Sequence, residues 1–151
     1  MPQRDYIFGA IFALSNRLQI LGDSINPGMT IKQWLFLAVI SKCDSDNPTL
    51  SEIAAMMGCS HQNVKKMAVI LEKNGFINMQ KDSKDARITR VYLTAYCGKY
   101  FEQHSRQDIE FLDELFNGFS PKDIANLFDG FKKIENNIIK MEKKKENYDH
   151  E

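Results

Sequence analysis

No stretch of about 18 consecutive apolar residues occurs in the sequence, so no membrane-spanning helix is expected. The opening Met1-Pro2-Gln3-Arg4-Asp5 lacks the long apolar core of an export signal. Cysteine is scarce: Cys43, Cys59 and Cys97 are three, an odd number and widely spaced. That pattern excludes a disulfide framework and suits free thiols in a reducing cytoplasm, where the protein is expected to reside. A phosphate-cradling glycine loop, a G-x-S-x-G elbow and an H-E-x-x-H pair are all missing, so neither enzyme chemistry nor a cofactor is expected. His61, His104 and His150 are scattered, and Cys59-x-His61 alone falls short of the roughly four ligands of a zinc site. Net charge is missing too, with 20 basic against 20 acidic residues, which excludes a uniformly basic protein. No internal repeat or low-complexity block is visible.

What is present is a chain of 151 residues, 43% hydrophobic and 26% charged. It has enough apolar content to build a core, and enough length for one small domain carried on helical arms. The neutral total hides a segregation of charge. Residues 60–92 carry seven basic side chains against Glu72, Asp82 and Asp85, while residues 101–129 carry seven acidic ones against Arg106 and Lys122. A local basic face attracts nucleic acid even in a neutral molecule.

The stretch 60–75, SHQNVKKMAVILEKNG, organises the rest. Val64, Met67, Ala68 and Leu71 fall at i, i+3, i+4 and i+7, one buried stripe of an amphipathic helix. Ser60 caps its start and Gly75 suits the left-handed residue just past its end. The outer side offers His61, Gln62, Asn63, Lys65 and Lys66, which can read base edges and neutralise phosphates. The plainer alternative for this helix alone is a solvated face.

Its neighbours argue for more. A helix over residues 5–25 shows a broad apolar face that includes Ile7, Phe8, Ile11, Phe12 and Leu14, wider than one neighbour would cover, and Asn26-Pro27-Gly28 ends it. Thr30-Ile31-Lys32-Gln33 and Thr49-Leu50-Ser51-Glu52 have the capping-box form and open two more helices. The first of these runs through Trp34, Leu35, Leu37, Ala38 and Ile40 and is mostly buried; a polar loop over 42–48 follows. The second stops at Gly58, and only Gly58 and Cys59 separate it from Ser60, the spacing of a helix-turn-helix. Beyond Gly75 the period changes to two. Residues 77–81 and 89–94 alternate, with Val91 and Leu93 inward, around a charged tip that contains Lys84, Asp85 and Arg87. A helix-turn-helix followed by such a hairpin is a winged helix. Arg87 is the natural minor-groove probe, with Asp85 able to hold its guanidinium; Lys84 and Arg90 add positive charge to the wing. Two long helices follow, over 95–116 and from Ser120-Pro121 onward. Their apolar seams need a partner, for which a second copy of the chain is the natural candidate. The tail over 142–151 is expected to fray.

Asp82-Ser83-Lys84-Asp85-Ala86-Arg87, then Val91-Tyr92-Leu93-Thr94 and Gly98, resembles the wing pattern D-x-x-D-x-R, V-x-L-T, glycine of the MarR family of bacterial and archaeal transcriptional regulators. The order of elements over nearly the whole chain is similar as well. Ala86 departs from the Asp-Arg-Arg usual in that wing. The resemblance implies a triangular homodimer whose N- and C-terminal helices form the base. Two winged helices then straddle a pseudo-palindromic site, with Arg87 in the minor groove. It also implies response to small aromatic compounds or oxidants near the cleft below the DNA-binding lobe, where Phe8, Phe12, Trp34, Phe36 and Phe101 are candidate lining. Helical spacing of these aromatics equally suits a core. The N-terminal helix has no cysteine to match the redox-sensing members, although Cys59, at the start of a helix, could react.

The expected architecture is therefore mainly α with a small β-hairpin wing: N-terminal dimerisation helix 1–28, winged helix-turn-helix 29–95, C-terminal dimerisation helices 96–151. The expected function is a cytoplasmic, sequence-specific regulator of transcription, a repressor, that binds double-stranded DNA as a homodimer and is released by a small ligand. Ser60, His61, Gln62, Asn63, Lys65, Lys66, Lys84, Asp85, Arg87 and Arg90 are its expected DNA-binding residues. The rival is a winged-helix protein-docking module, which should expose apolar anchors on the outer face of the 60–75 helix. Val69 is the one candidate there.

Overall fold

Helix starts in this chain are written locally, and the computed structural model, which describes residues 1–26, 28–43 and 47–148, shows them used. Thr30 Oγ1 accepts from the Gln33 amide at 3.2 Å while Gln33 Oε1 accepts from the Thr30 amide at 3.0 Å. Thr49 and Glu52 repeat the exchange at 3.2 and 2.7 Å. Ser60 Oγ accepts from the Asn63 amide at 3.3 Å. Each cap satisfies donors that the first turn leaves without a helical partner. The helices that result are α1 (Gln3–Ile25), α2 (Ile31–Ser41), α3 (Leu50–Met57), α4 (His61–Lys73), α5 (Ala95–Leu115) and α6 (Pro121–Tyr148), with strands β1 (Ile77–Lys81) and β2 (Thr89–Leu93) between α4 and α5. This is the mainly α architecture with a hairpin wing that the sequence predicts. Of the turn at Asn26-Pro27-Gly28, Pro27 lies outside the described residues, as do residues 44–46 of the loop before α3.

Two compact units divide the chain, residues 1–103 and 104–151. In the first, α2, α3, α4 and the hairpin enclose a core of Met29, Phe36, Leu37, Ile40, Leu50, Ile53, Ala54, Val64, Ala68, Leu71, Phe76, Ile77, Val91 and Cys97. Val64, Ala68 and Leu71 are the buried stripe expected of α4, with Met67 half-buried beside them. Gly58 adopts φ +62° and Gly75 φ +81°, left-handed positions at which a side chain would be strained. Asp23 Oδ1 accepts from the Ile31 amide at 2.7 Å and Gly22 packs on Ile31, where a Cβ would come within 2.9 Å. The glycine thus lets α1 approach the start of α2. In the second unit, Ser120 and Asp123 cap α6 reciprocally: Ser120 Oγ accepts from the Asp123 amide at 3.2 Å, and Asp123 Oδ2 accepts from the Ser120 amide at 3.0 Å.

β1 and β2 pair antiparallel from Ile77 opposite Leu93 to Lys81 opposite Thr89. The sheet gains a short third edge just before α3: the Val91 amide donates to the Pro48 carbonyl at 2.9 Å, and Thr49 bridges Arg90. Three expectations are corrected. Leu93, read as inward, is 36% exposed although it pairs with the buried Ile77, because it is the last residue of the strand, where the core ends. Leu35, read within a buried run, is exposed, while Phe36, Leu37 and Ile40 carry the buried face of α2. The tail expected to fray from 142 continues as helix to Tyr148, consistent with the high helix propensity of its lysines and glutamates; residues 149–151 lie outside the described residues.

Candidate nucleic-acid interface

Helix α4 presents its outer face as the heptad logic requires. Burial of Val64, Ala68 and Leu71 leaves Gln62, Asn63, Lys65 and Lys66 on the exposed side, and His61, which falls at the stripe's own edge, is exposed because it opens the helix. The free amides of the first turn lie at the same end, so backbone dipoles add to the lysine charge. Ser60 stands at the entry, exposed, its hydroxyl engaged by the Asn63 amide. Val69 and Ile70, 52% and 46% exposed, lie in the following turn.

The wing tip is built around two carboxylates. Asp85 accepts the Arg87 amide at 2.9 Å, Arg87 Nε at 3.1 Å and Arg87 Nη2 at 3.0 Å. The guanidinium is therefore gripped along one edge, and its opposite edge, Nη1, faces away from the carboxylate. The Arg87 side chain is 91% exposed. Asp82 Oδ1 accepts the amides of Lys84 at 2.8 Å and Asp85 at 3.1 Å, and its Oδ2 accepts Arg90 Nε at 2.5 Å. The Asp82 amide donates to the Ile88 carbonyl and the Ile88 amide to the Asp85 carbonyl, closing the loop. Arg90 next to it, and then the two loop amides, pull the Asp82 carboxyl down to about 2. The Arg87 side chain, then its amide, holds Asp85 below the ordinary carboxylate value, while Asp85 and Asp82 push Arg87 and Arg90 up in return. All four groups are charged at any physiological pH.

Not every expected contact residue is offered outward to the same degree. Lys84 and Arg87 are exposed, whereas Arg90 is turned inward to the protein: Nη1 donates to the Asn47 carbonyl at 2.9 Å and Nε to Asp82. Asp82 and Asn47 are the residues that sequence reasoning passed over. Asp82 was visible as the first Asp of the wing pattern, while a backbone carbonyl 43 positions from Arg90 leaves no signal in sequence.

The aromatic candidates separate. Phe36 is fully buried, so it is corrected from cleft lining to core. Trp34 and Phe101 meet edge to face with centroids 6.5 Å apart, and Tyr100 stands 6.3 Å from Phe101. Phe8 and Phe12 form a separate, exposed edge-to-face pair on α1, 5.3 Å apart. Burial pushes the Cys97 thiol up to about 11. Among the described residues no group of three or more His, Cys, Asp or Glu is arranged to hold a metal ion.

Residues 29–89, from the start of α2 to the wing, match the model of the MarR family. Over that span the winged helix of this chain is similar to the MarR family. MarR-type folds among solved structures extend the likeness over most of the chain. A MarR/EmrR family transcriptional regulator from Acinetobacter sp. ADP1 is 21% identical and covers 93% of this chain and 99% of its own, with a TM-score of 0.79. A MarR transcriptional regulator from Methanosarcina mazei Go1 is 23% identical over 91% and 99%, TM-score 0.78. MepR of S. aureus, solved in complex with DNA, is 19% identical over 91% and 99%, TM-score 0.75. No curated protein matches the chain in sequence. Among the described residues no helix is long and apolar enough to cross a membrane.

Proposed function

We infer that this MarR-type chain is a transcriptional regulator that binds double-stranded DNA as a homodimer. The observation that carries the reading is the pairing of two differently shaped cationic probes. One is the exposed N-terminal face of α4, with His61, Gln62, Asn63, Lys65 and Lys66; the other is Arg87 at the wing tip, exposed yet oriented by Asp85. A helix of this kind fits a major groove and a fixed arginine fits a narrow minor groove. The MepR neighbour was solved on DNA, which supports the same reading. Gln62, Asn63 and His61 are assigned to base edges, Ser60, Lys65, Lys66 and Lys84 to phosphates or guanine, and Arg87, with Asp85 behind it, to the minor groove.

The homodimer reading rests on large apolar side chains that stand exposed among the described residues. Phe8 and Phe12 on α1 are 67% and 60% exposed, and Phe128 and Phe131 on α6 are 61% and 53% exposed. Two-fold symmetry would set two α4 helices in successive major grooves of an inverted repeat. Repression, with release by a small aromatic ligand, completes the reading. Its support is the half-buried Trp34–Phe101 pair. Trp34 is the single tryptophan of the sequence, so quenching of its fluorescence by a simple phenolic compound reads that contact directly.

Selection of duplexes from a random-sequence pool with the purified protein, followed by affinity against salt, tests the function. The expected result is an inverted repeat with half-sites about one helical turn apart and a steep fall of affinity with salt. Alanine at Lys65 or Lys66 should reduce the salt slope by about one each. No enrichment, with weak binding insensitive to sequence, would overturn the reading in favour of a protein-docking module using Val69 and Ile70.

A further inference from the structure

We propose that Arg90 is a positioning residue, which sets Arg87 against the duplex without contacting the duplex itself. The proposal rests on the DNA-binding reading above and deepens it. It comes from a continuous run of hydrogen bonds through the wing. Arg90 Nη1 donates to the Asn47 carbonyl at 2.9 Å, just ahead of α3, and Arg90 Nε donates to Asp82 Oδ2 at 2.5 Å. The other oxygen of that carboxylate holds the Asp85 amide at 3.1 Å. The Asp85 carboxylate in turn grips the Arg87 guanidinium at 3.1 and 3.0 Å. Every link from the helix-turn-helix to the wing tip thus has a charged donor or acceptor, the stronger kind of hydrogen bond.

Two further features separate Arg90 from a phosphate contact. Its side chain is 36% exposed against 91% for Arg87. The Asp82 carboxylate bonds it directly and Glu52 is near enough to act on its charge, so part of its charge is offset within the protein. The backbone around it is also where the wing is already joined to the start of α3, through Thr49 opposite Arg90 and the Val91 amide on the Pro48 carbonyl. A two-stranded ribbon by itself is a pliant element. A minor-groove arginine must sit at a set distance from the helix in the major groove, and a brace at the root of the ribbon supplies that distance.

The test uses the charge-conserving pair Asp82→Asn/Arg90→Gln, alone and combined with Arg87→Ala, on the duplex enriched from the random pool. Affinity is measured across salt, and amide hydrogen exchange is followed in the free protein. The expected result is a loss of roughly tenfold with the salt slope unchanged. That loss should vanish when Arg87 is already alanine. The Lys84, Asp85 and Ile88 amides should exchange faster while those of α4 keep their protection, which separates a loosened wing from a misfolded domain. A fall in slope by about one, with a loss that adds to that of Arg87→Ala, would overturn the proposal and make Arg90 a phosphate contact. Unchanged affinity would overturn it as well. If the wild-type protein enriches no duplex, the DNA-binding reading itself fails and the proposal with it, an outcome visible before any variant is made.

Discussion

Arg87 carries 91% of its side chain in solvent yet donates three hydrogen bonds, one from its amide and two from its guanidinium, to a single carboxylate. A free arginine loses much rotamer entropy on docking, and the Asp85 grip removes part of that cost in advance. Arg87→Ala should therefore cost about 1–3 kcal/mol of duplex affinity, read by fluorescence anisotropy, with the thermal unfolding midpoint unchanged because the residue covers no core. Asp82 supports the same loop through its charge, and its pH dependence has a definite sign. Its carboxyl is pulled from 3.8 down to about 2, so its support is complete above about pH 4 and is lost as pH falls from there towards 2. Amide signals of Lys84 and Asp85 followed between pH 5 and about pH 2 should show the wing loosening first, and Asp82→Asn should abolish that step. Phe36 is decided at this scale too. It is fully buried, so Phe36→Ala should lower unfolding free energy by about 3–5 kcal/mol in urea titration, the signature of a core side chain and not of a ligand contact.

At the scale of elements, the joint between α3 and α4 rests on Gly58. Its φ of +62° is left-handed and nothing lies within 4 Å of where a Cβ would be, so the strain in Gly58→Ala is conformational alone, about 1–2 kcal/mol. Gly58→Asn should recover part of it, as asparagine tolerates the left-handed region better; denaturant midpoints of the two variants check the order. The same joint shows what sequence could convey. Thr30 with Gln33, Thr49 with Glu52, and Ser60 with its third neighbour are caps in which donor and acceptor lie three residues apart, so a reader of the chain meets both partners together. The Val64–Ala68–Leu71 stripe and the period-two strands are legible for the same reason. The brace on Arg90 was not. Its partners Asp82 and Asn47 lie eight positions away across a hairpin and 43 positions away across two helices. Sequence shows only a basic residue on a wing, and a DNA contact is then the natural assignment. Leu93 is a separate case: alternation places it inward, and at the end of the strand it is 36% exposed.

For the whole molecule the decisive quantity is apolar surface that one chain leaves uncovered. On α6 alone Ile124, Leu127, Phe128, Phe131, Ile138 and Met141 are between 38% and 69% exposed, and with the half-buried Ile134 they form one seam along a 28-residue helix. At roughly 25 cal/mol per Å² of apolar surface removed from water, a face of this length is a strong drive to associate, and monomers seldom keep one bare. The face proposed for DNA, on α4 and the wing, carries lysines and Arg87, while the face proposed for a second copy is apolar, so the two are chemically distinct. Phe128→Lys/Phe131→Lys should therefore raise the dimer dissociation constant by at least about 30-fold, taking roughly 2 kcal/mol for one central aromatic. Light scattering behind size exclusion should show the shift from dimer to monomer, while circular dichroism keeps the helical signal. Because two recognition helices on one body reach an inverted repeat that one cannot, the same variant should bind a single half-site as the wild type does and lose the gain that the full repeat provides. A variant that stays dimeric would move the subunit interface off α6, and one that becomes monomeric yet keeps full-repeat affinity would remove symmetry from the recognition argument altogether.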